Sequence, residues 1–117
     1  MKVLLILSDP PCGAERSYDA LRLAHALAKR EPAAEITVFL MADAVALAKK
    51  GQKAPEGYYN VQRLLKSFAH GGHRLLLCAS CMDARGLADA EVIDDARRSS
   101  MDELAAITLE ADKALVF

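Results

Sequence analysis

Lys2-Val3-Leu4-Leu5-Ile6-Leu7-Ser8-Asp9-Pro10-Pro11 is the stretch on which the fold turns. From Val3 to Leu7 no polar residue interrupts it, which is the pattern of a strand buried on both faces rather than one alternating between core and solvent. Asp9-Pro10-Pro11 then stops the strand Lys2 to Leu7, because proline has no N–H to give to a ladder. A strand covered on both sides needs helices to cover it, and the chain supplies one at once. From Ala14 to Lys29 the residues Leu21, Ala24, Leu27 and Ala28 recur at helical spacing, while Arg22, Lys29 and Arg30 are left for solvent.

The same alternation continues outward. Ile36 to Met41, apolar and β-branched after Glu31-Pro32, reads as a second strand. Asp43 caps a short helix through Ala48, with Lys49 and Lys50 opposing the negative end of its dipole and Gly51 ending it. Gln52 to Gly57, holding Pro55 and Gly57, reads as an exposed loop. Val61, Leu64, Leu65 and Phe68 form the stripe of another helix, ended by His70-Gly71-Gly72. Arg74 to Cys78 is the third strand and Glu91 to Arg97 the next helix. Ser100 and Glu103 have capping-box spacing and open a helix through Leu109, and Lys113 to Phe117 closes the chain as a strand. Strands always separated by helices imply an α/β fold, a three-layer sandwich with a mostly parallel four-stranded sheet. The expected strand order is 2-1-3-4, as in flavodoxin-like folds, which sets the loops after strands one and three on one crevice. Cys12 would then face Cys78 and Cys81 across it.

With 117 residues there is room for one compact core and not for a second domain. A formal net charge of -1 and a pI near 6.3 give no electrostatic selection for nucleic acid or an anionic membrane. The apolar run at the start is too short for a signal segment, lacks a small-residue cleavage site and is needed as a strand, so a cytoplasmic protein is expected. Three cysteines without an export signal argue against a structural disulfide framework and leave reactive thiols or a metal. A zinc site would need a ligand beyond Cys12, Cys78 and Cys81, and His25, His70 and His73 lack the paired spacing of zinc modules, so no metal or cofactor is assigned.

Chemistry concentrates where Leu75-Leu76-Leu77 empties into Cys78-Ala-Ser-Cys81-Met-Asp83-Ala-Arg85-Gly86. Parallel sheets gather reactive groups outside the carboxyl ends of their strands, so a thiol there is expected to be presented rather than packed, the alternative being that Cys78 is a small hydrophobe filling the strand end. A free thiol with a pKa of about 8.5 needs help to ionise near neutrality. Helical N–H groups starting near Ser80 to Met82 and the guanidinium of Arg85 are the candidates. Cys78 and Cys81 are the candidate catalytic pair, with Cys12, Asp83 and Arg85 as auxiliaries. Asp83 and Arg85 read equally as a turn pair, and Gly86 as a residue needing positive φ. In Asp9 to Ser17, the residues Gly13, Glu15 and Ser17 precede a helix and offer an anion cradle or simply a strand-to-helix turn. No G-x-G-x-x-G or Walker-type Gly-Lys-Ser/Thr occurs. None of the histidines is placed to act as a general base.

Further segments join these into one pattern: Pro10-Pro11-Cys12-Gly13, the helix Ser17 to Leu27, Phe39 to Val45, Gly51-Gln52-Lys53, Gly57-Tyr58 and the ending Ala111 to Phe117. Together with Cys78-x-x-Cys81-x-Asp83-x-Arg85-Gly86, over almost the whole length, the chain resembles the DsrE/DsrF-like family, most closely its YchN-like branch. That resemblance implies a small α/β sandwich assembling into homotrimers or homohexamers, with cysteines near subunit interfaces. It also implies sulfur relay, in which sulfur is carried as a cysteine persulfide between protein donor and acceptor partners, a sulfurtransferase-type carrier rather than a stand-alone enzyme. The sulfur-bearing cysteine of the relay branches matches Cys78, and Cys81 matches a second cysteine of the YchN-like branch. Relatives often carry Tyr where this chain has Cys12.

Three functions follow from these residues and from what the resemblance implies, the first resting largely on the resemblance. The first is a carrier that holds sulfur on Cys78 and passes it to a partner thiol. The second is a thiol-disulfide switch between Cys78 and Cys81, with Cys12 as an alternative partner. The third is a noncatalytic oligomeric module in which the thiols are buried and the Cys12 to Ser17 loop holds an anionic metabolite.

Overall fold

The structure is a computed structural model and describes residues 1–13, 15–54 and 60–117. The expected helix start at Ala14, the end of the Gln52 to Gly57 loop and the Gly57-Tyr58 pair lie outside the described residues. Along the chain run β1 (Lys2–Leu7), α1 (Arg16–Arg30), β2 (Glu35–Leu40), a 3-10 segment (Ala42–Ala48), α2 (Val61–His70), β3 (Arg74–Cys78), α3 (Ala79–Ala84), a 3-10 turn (Asp89–Glu91), β4 (Arg97–Ser99), α4 (Met101–Glu110) and β5 (Lys113–Val116). The five strands form one sheet in the order β4-β3-β2-β1-β5, and every neighbouring pair is parallel.

The α/β class stands, with three corrections. The sheet has five strands rather than four, because Arg97–Ser99 pairs with Leu76–Cys78 and is not the end of a helix. The expected helix over Glu91 to Arg97 does not form. Val92 bridges Lys49, and the Ile93 N–H donates to the Ala48 carbonyl at 2.9 Å, which draws this β-branched pair out of helical geometry. The order 2-1-3-4 is also wrong: β1 lies between β2 and β5, and β3 lies beyond β2. Strand–helix alternation is satisfied by either order, so it does not choose between them.

Burial explains which segments became central. Val3, Leu4, Leu5 and Leu7 in β1, Ile36 to Leu40 in β2 and Leu75 to Leu77 in β3 are all buried. Ala20, Leu21 and Ala24 bring α1 down on this surface, and Val61, Leu65 and Phe68 do so for α2, which packs against α1. Asn60 caps α2 by accepting from the Arg63 N–H at 3.0 Å. Ser100 likewise caps α4, accepting from the Glu103 N–H at 3.1 Å. The reciprocal half of the expected capping box is missing, because the Glu103 carboxylate is held by Arg97 and the Ser99 hydroxyl, which keep it below the ordinary carboxylate value.

Candidate functional site

Cys78 is the last residue of β3 and occupies the cap position of α3. The turn into α3 is local in origin: Ala79 to Ala84 are helix-compatible residues, and Met82, fully buried, anchors the short helix. Gly86 ends it at φ +63°, with the Gly86 N–H on the Asp83 carbonyl and the Leu87 N–H on the Met82 carbonyl, the paired closure that left-handed glycine allows. The positive φ expected at Gly86 is present.

The expectation that Cys78 is presented to solvent is corrected. It belongs to the core and is 6% exposed, whereas Cys81 is half-buried and Cys12 exposed. The end of a strand buried on both faces is itself buried, so the turn that follows it exposes Cys81 instead.

Two groups converge on the Cys78 sulfur: the Cys81 backbone N–H, which donates at 3.3 Å, and the Ser80 hydroxyl, whose Oγ lies 3.3 Å away and which is the donor whenever Cys78 is a thiolate. Burial alone would push this thiol up, but hydrogen bonds from the Cys81 thiol, from Ser80 and from the backbone outweigh it and hold Cys78 below the ordinary thiol value. Cys81 moves the opposite way. Burial, its thiol hydrogen bond to Cys78 and the charge on that sulfur push it up, against an opposing backbone N–H and the nearby Arg85. The opposite directions of the two shifts make Cys78 the more acidic sulfur of the pair.

That opposing N–H belongs to Ala42 and donates to Cys81 Sγ at 3.2 Å. Ala42 has φ +50°, the one described non-glycine residue with positive φ. A side-chain-bearing residue is disfavoured there, so the surroundings impose this geometry. Asp43 does not cap the following segment as expected; the segment is 3-10 and begins after Met41 without a side-chain cap. Its carboxylate accepts from Arg85 Nε at 2.9 Å, while an Arg85 Nη donates to the Cys81 carbonyl at 3.1 Å. Arg85 thus ties the loop after β2 to the first turn of α3. Nothing in the sequence around Ala42 marked it as a neighbour of Cys81, since the contact depends on β2 and β3 being adjacent.

The other candidates separate from this pair. Asp83 accepts from Arg98 at 2.6 Å, and Arg98 also holds Asp89, joining α3 to β4. The sequence reading missed Arg98. Cys12, Gly13 (φ +96°) and Glu15 lie in the turn from β1 to α1, and Ser17 in the first turn of α1, from which its hydroxyl donates to the Asp9 carbonyl at 2.8 Å. With β2 between β1 and β3, the Cys12 loop and the Cys78 turn do not flank neighbouring strands, which corrects the shared crevice. His73, stacked on Phe68, immediately precedes β3, and His70 pairs with Asp95 at 3.1 Å, so these two histidines sit at the opposite end of the strand from Cys78. Among the described residues no three His, Cys, Asp or Glu side chains converge to hold a metal.

The profile of the DsrE/DsrF-like family matches residues 1–117. The chain belongs to that family. Among DsrE/DsrF-like relatives, the YchN protein of Escherichia coli is 38% identical over 116 residues, covering 99% of this chain and 98% of its own. A protein of Methanocaldococcus jannaschii is 35% identical over 117 residues and covers both chains completely. The crystal structure of YchN superposes with a TM-score of 0.94 over 99% of this chain and 98% of that one. A protein of Methanobacterium thermoautotrophicum, at 13% identity, shares the fold with a TM-score of 0.80 over 99% of this chain and 97% of its own. The DsrE/DsrF-like family is associated with sulfur relay.

Proposed function

We propose that this chain is a sulfur carrier in which Cys78 holds sulfur as a persulfide. The Cys78 thiolate attacks the outer sulfur of a donor persulfide, forming a new S–S bond while the donor's own S–S bond breaks and its thiolate leaves. An acceptor thiolate then attacks the outer sulfur on Cys78, and the electron pair of the broken bond returns to Cys78. No electron is gained or lost across the cycle. The observation that carries this reading is the convergence of the Cys81 N–H and the Ser80 hydroxyl on Cys78 Sγ, which favours the attacking form of the sulfur. Membership of a family associated with sulfur relay supports it. Donor and acceptor are proposed to be partner proteins, and the working unit a homo-oligomer.

The test is intact and peptide mass spectrometry after exposure to glutathione persulfide, with alkylation to trap the product. One added sulfur on the Cys78 peptide is expected in the wild type and none in Cys78→Ser. A folded wild-type protein that gains no sulfur overturns the proposal.

The Cys81 N–H on Cys78 Sγ at 3.3 Å, which keeps the two cysteines within one turn, also favours a dithiol–disulfide switch, in which a disulfide oxidant is reduced as Cys78 and Cys81 join. A redox titration separates the two readings. The switch requires both cysteines, whereas persulfide loading on Cys78 survives Cys81→Ser.

A further inference from the structure

Three observations concern where sulfur would leave the protein. Cys78 is 6% exposed, while its hydrogen-bonded neighbour Cys81 is half-buried and so nearer to solvent. The Ala42 N–H, held in place by a backbone at φ +50°, is aimed at Cys81 Sγ at 3.2 Å and not at Cys78. The Arg85 guanidinium spans the Cys81 carbonyl and Asp43, next to Ala42. A fixed donor and a nearby cation stabilise negative charge on the sulfur they face, and both serve Cys81. A cysteine acting only as a proton donor to Cys78 needs neither.

We propose that Cys81 is a second sulfur-bearing site, which receives the outer sulfur from the Cys78 persulfide and presents it to acceptors. The proposal rests on Cys78 persulfide formation and adds one internal step. The Cys81 thiol, on the residue whose backbone N–H already reaches Cys78 Sγ at 3.3 Å, gives its proton to the terminal sulfur there, leaving a neutral Cys78–S–SH and a Cys81 thiolate. That thiolate attacks the outer sulfur. The new bond is Cys81 S to outer S, the bond that breaks is Cys78 S to outer S, and the electron pair returns to Cys78 as thiolate. The products are Cys81–S–SH and Cys78–S⁻, so atoms, charge and oxidation level balance without a co-reactant. Loading makes the step possible, because it moves the negative charge from Cys78 Sγ to the terminal sulfur, which takes up the Cys81 proton and leaves no charge at position 78 to oppose the Cys81 thiolate. The Ala42 N–H and Arg85 are then no longer opposed by that charge. The arrangement couples a protected loading site to an accessible delivery site within one turn of helix.

A single-turnover time course tests this. The full chain is loaded with a limiting pulse of glutathione persulfide, quenched by alkylation at intervals, and the sulfane sulfur is mapped by peptide mass spectrometry. The expected result is sulfur first on Cys78 and then on Cys81 at constant total. In Cys81→Ser, and in Cys81→Ala as a second variant, sulfur is expected to remain on Cys78 and to pass to added glutathione at least tenfold more slowly than in the wild type. Sulfur found on Cys78 throughout, with wild-type discharge in both variants, overturns the proposal. Release of sulfide with formation of a Cys78–Cys81 disulfide, the product of attack on the inner sulfur, also overturns it. Absence of sulfur from either cysteine instead removes the carrier reading beneath it, so the two failures are distinguishable. The wild-type time course stands by itself should either variant fail to fold.

Discussion

The difference in acidity between Cys78 and Cys81 sets the chemistry at the residue scale. Cys78 is lowered and Cys81 raised, so over a window below the ordinary thiol value the pair carries one negative charge, on Cys78. Linkage gives the two shifts opposite signs. Stability from Cys78 is present above its unfolded value and is lost as pH falls through the lowered folded value. Stability from Cys81 is present below its unfolded value and is lost as pH rises through the raised folded one. Ultraviolet thiolate absorbance in a Cys12→Ser background reads the first ionisation without requiring a reagent to reach a buried sulfur. Its midpoint is expected below that of the denatured protein, and Ser80→Ala is expected to move it upward by removing one of the donors. A Ser80→Ala curve that superimposes on the parent would show that the hydroxyl does not support the anion. Of this residue-scale arrangement, the Cys-x-x-Cys spacing and the positive φ of Gly86 were legible in the sequence. The low exposure of Cys78 was legible only as the alternative to a presented thiol, because a strand-end position reads as a loop position until the neighbouring strands are placed.

At the scale of elements, the site is a junction between the loop after β2 and the start of α3, fastened by Arg85. The Arg85 and Asp43 side chains are partly and largely exposed, so the ion pair contributes little to global stability, well under about 1 kcal/mol. Its effect is positional. Arg85→Gln is expected to leave the denaturation midpoint almost unchanged and to raise the Cys81 ionisation further, since the Arg85 charge lowers it. Slower alkylation of Cys81 at a fixed pH, measured by peptide mass spectrometry, checks this, and an unchanged rate would mean the clamp does not act on the thiol. Helix α4 gives the contrasting case, where one cap serves stability alone. Ser100→Ala is expected to cost about 1 kcal/mol in chemical denaturation without altering thiol ionisation. The long elements were legible because Val3 to Leu7 and the stripe Val61, Leu64, Leu65 and Phe68 carry unmistakable periods. Strand β4 was not. Arg97-Arg98-Ser99 shows neither an apolar run nor alternation, since a short edge strand is defined by the partner it pairs with, and its charged side chains protect the edge. The short helix expected through Ala48 is present as the 3-10 segment Ala42–Ala48, but its cap was misread for a related reason: Arg85, a distant residue, takes the Asp43 carboxylate that local reasoning assigned to a cap.

The sheet order governs which thiols can meet across the whole molecule. Parallel strands that reverse direction of travel around β1 put the topological switch between β1 and β5, and there Phe117 is already paired, its N–H on the Ile6 carbonyl and its carbonyl receiving the Ser8 N–H. The thiol pair lies elsewhere, at the end of β3 and beside the loop after β2. Cys12 follows β1, and β1 and β3 are two strand spacings apart, roughly 10 Å. A disulfide needs Cα atoms within about 7 Å. The β1 loop is also held by the Ser17 hydroxyl on Asp9, while Ala42 of the intervening loop contacts Cys81. Intrachain oxidation at low protein concentration is therefore expected to join Cys78 to Cys81 and to leave Cys12 free. Cys12→Ser is expected to load sulfur on Cys78 at the parent rate, within about twofold. Non-reducing peptide mapping decides the first point and persulfide mass spectrometry the second. A major Cys12–Cys78 or Cys12–Cys81 linkage within one chain would require β2 and its loop to move out of the way, which a strand hydrogen-bonded on both sides and filled with buried Ile36, Val38, Phe39 and Leu40 resists.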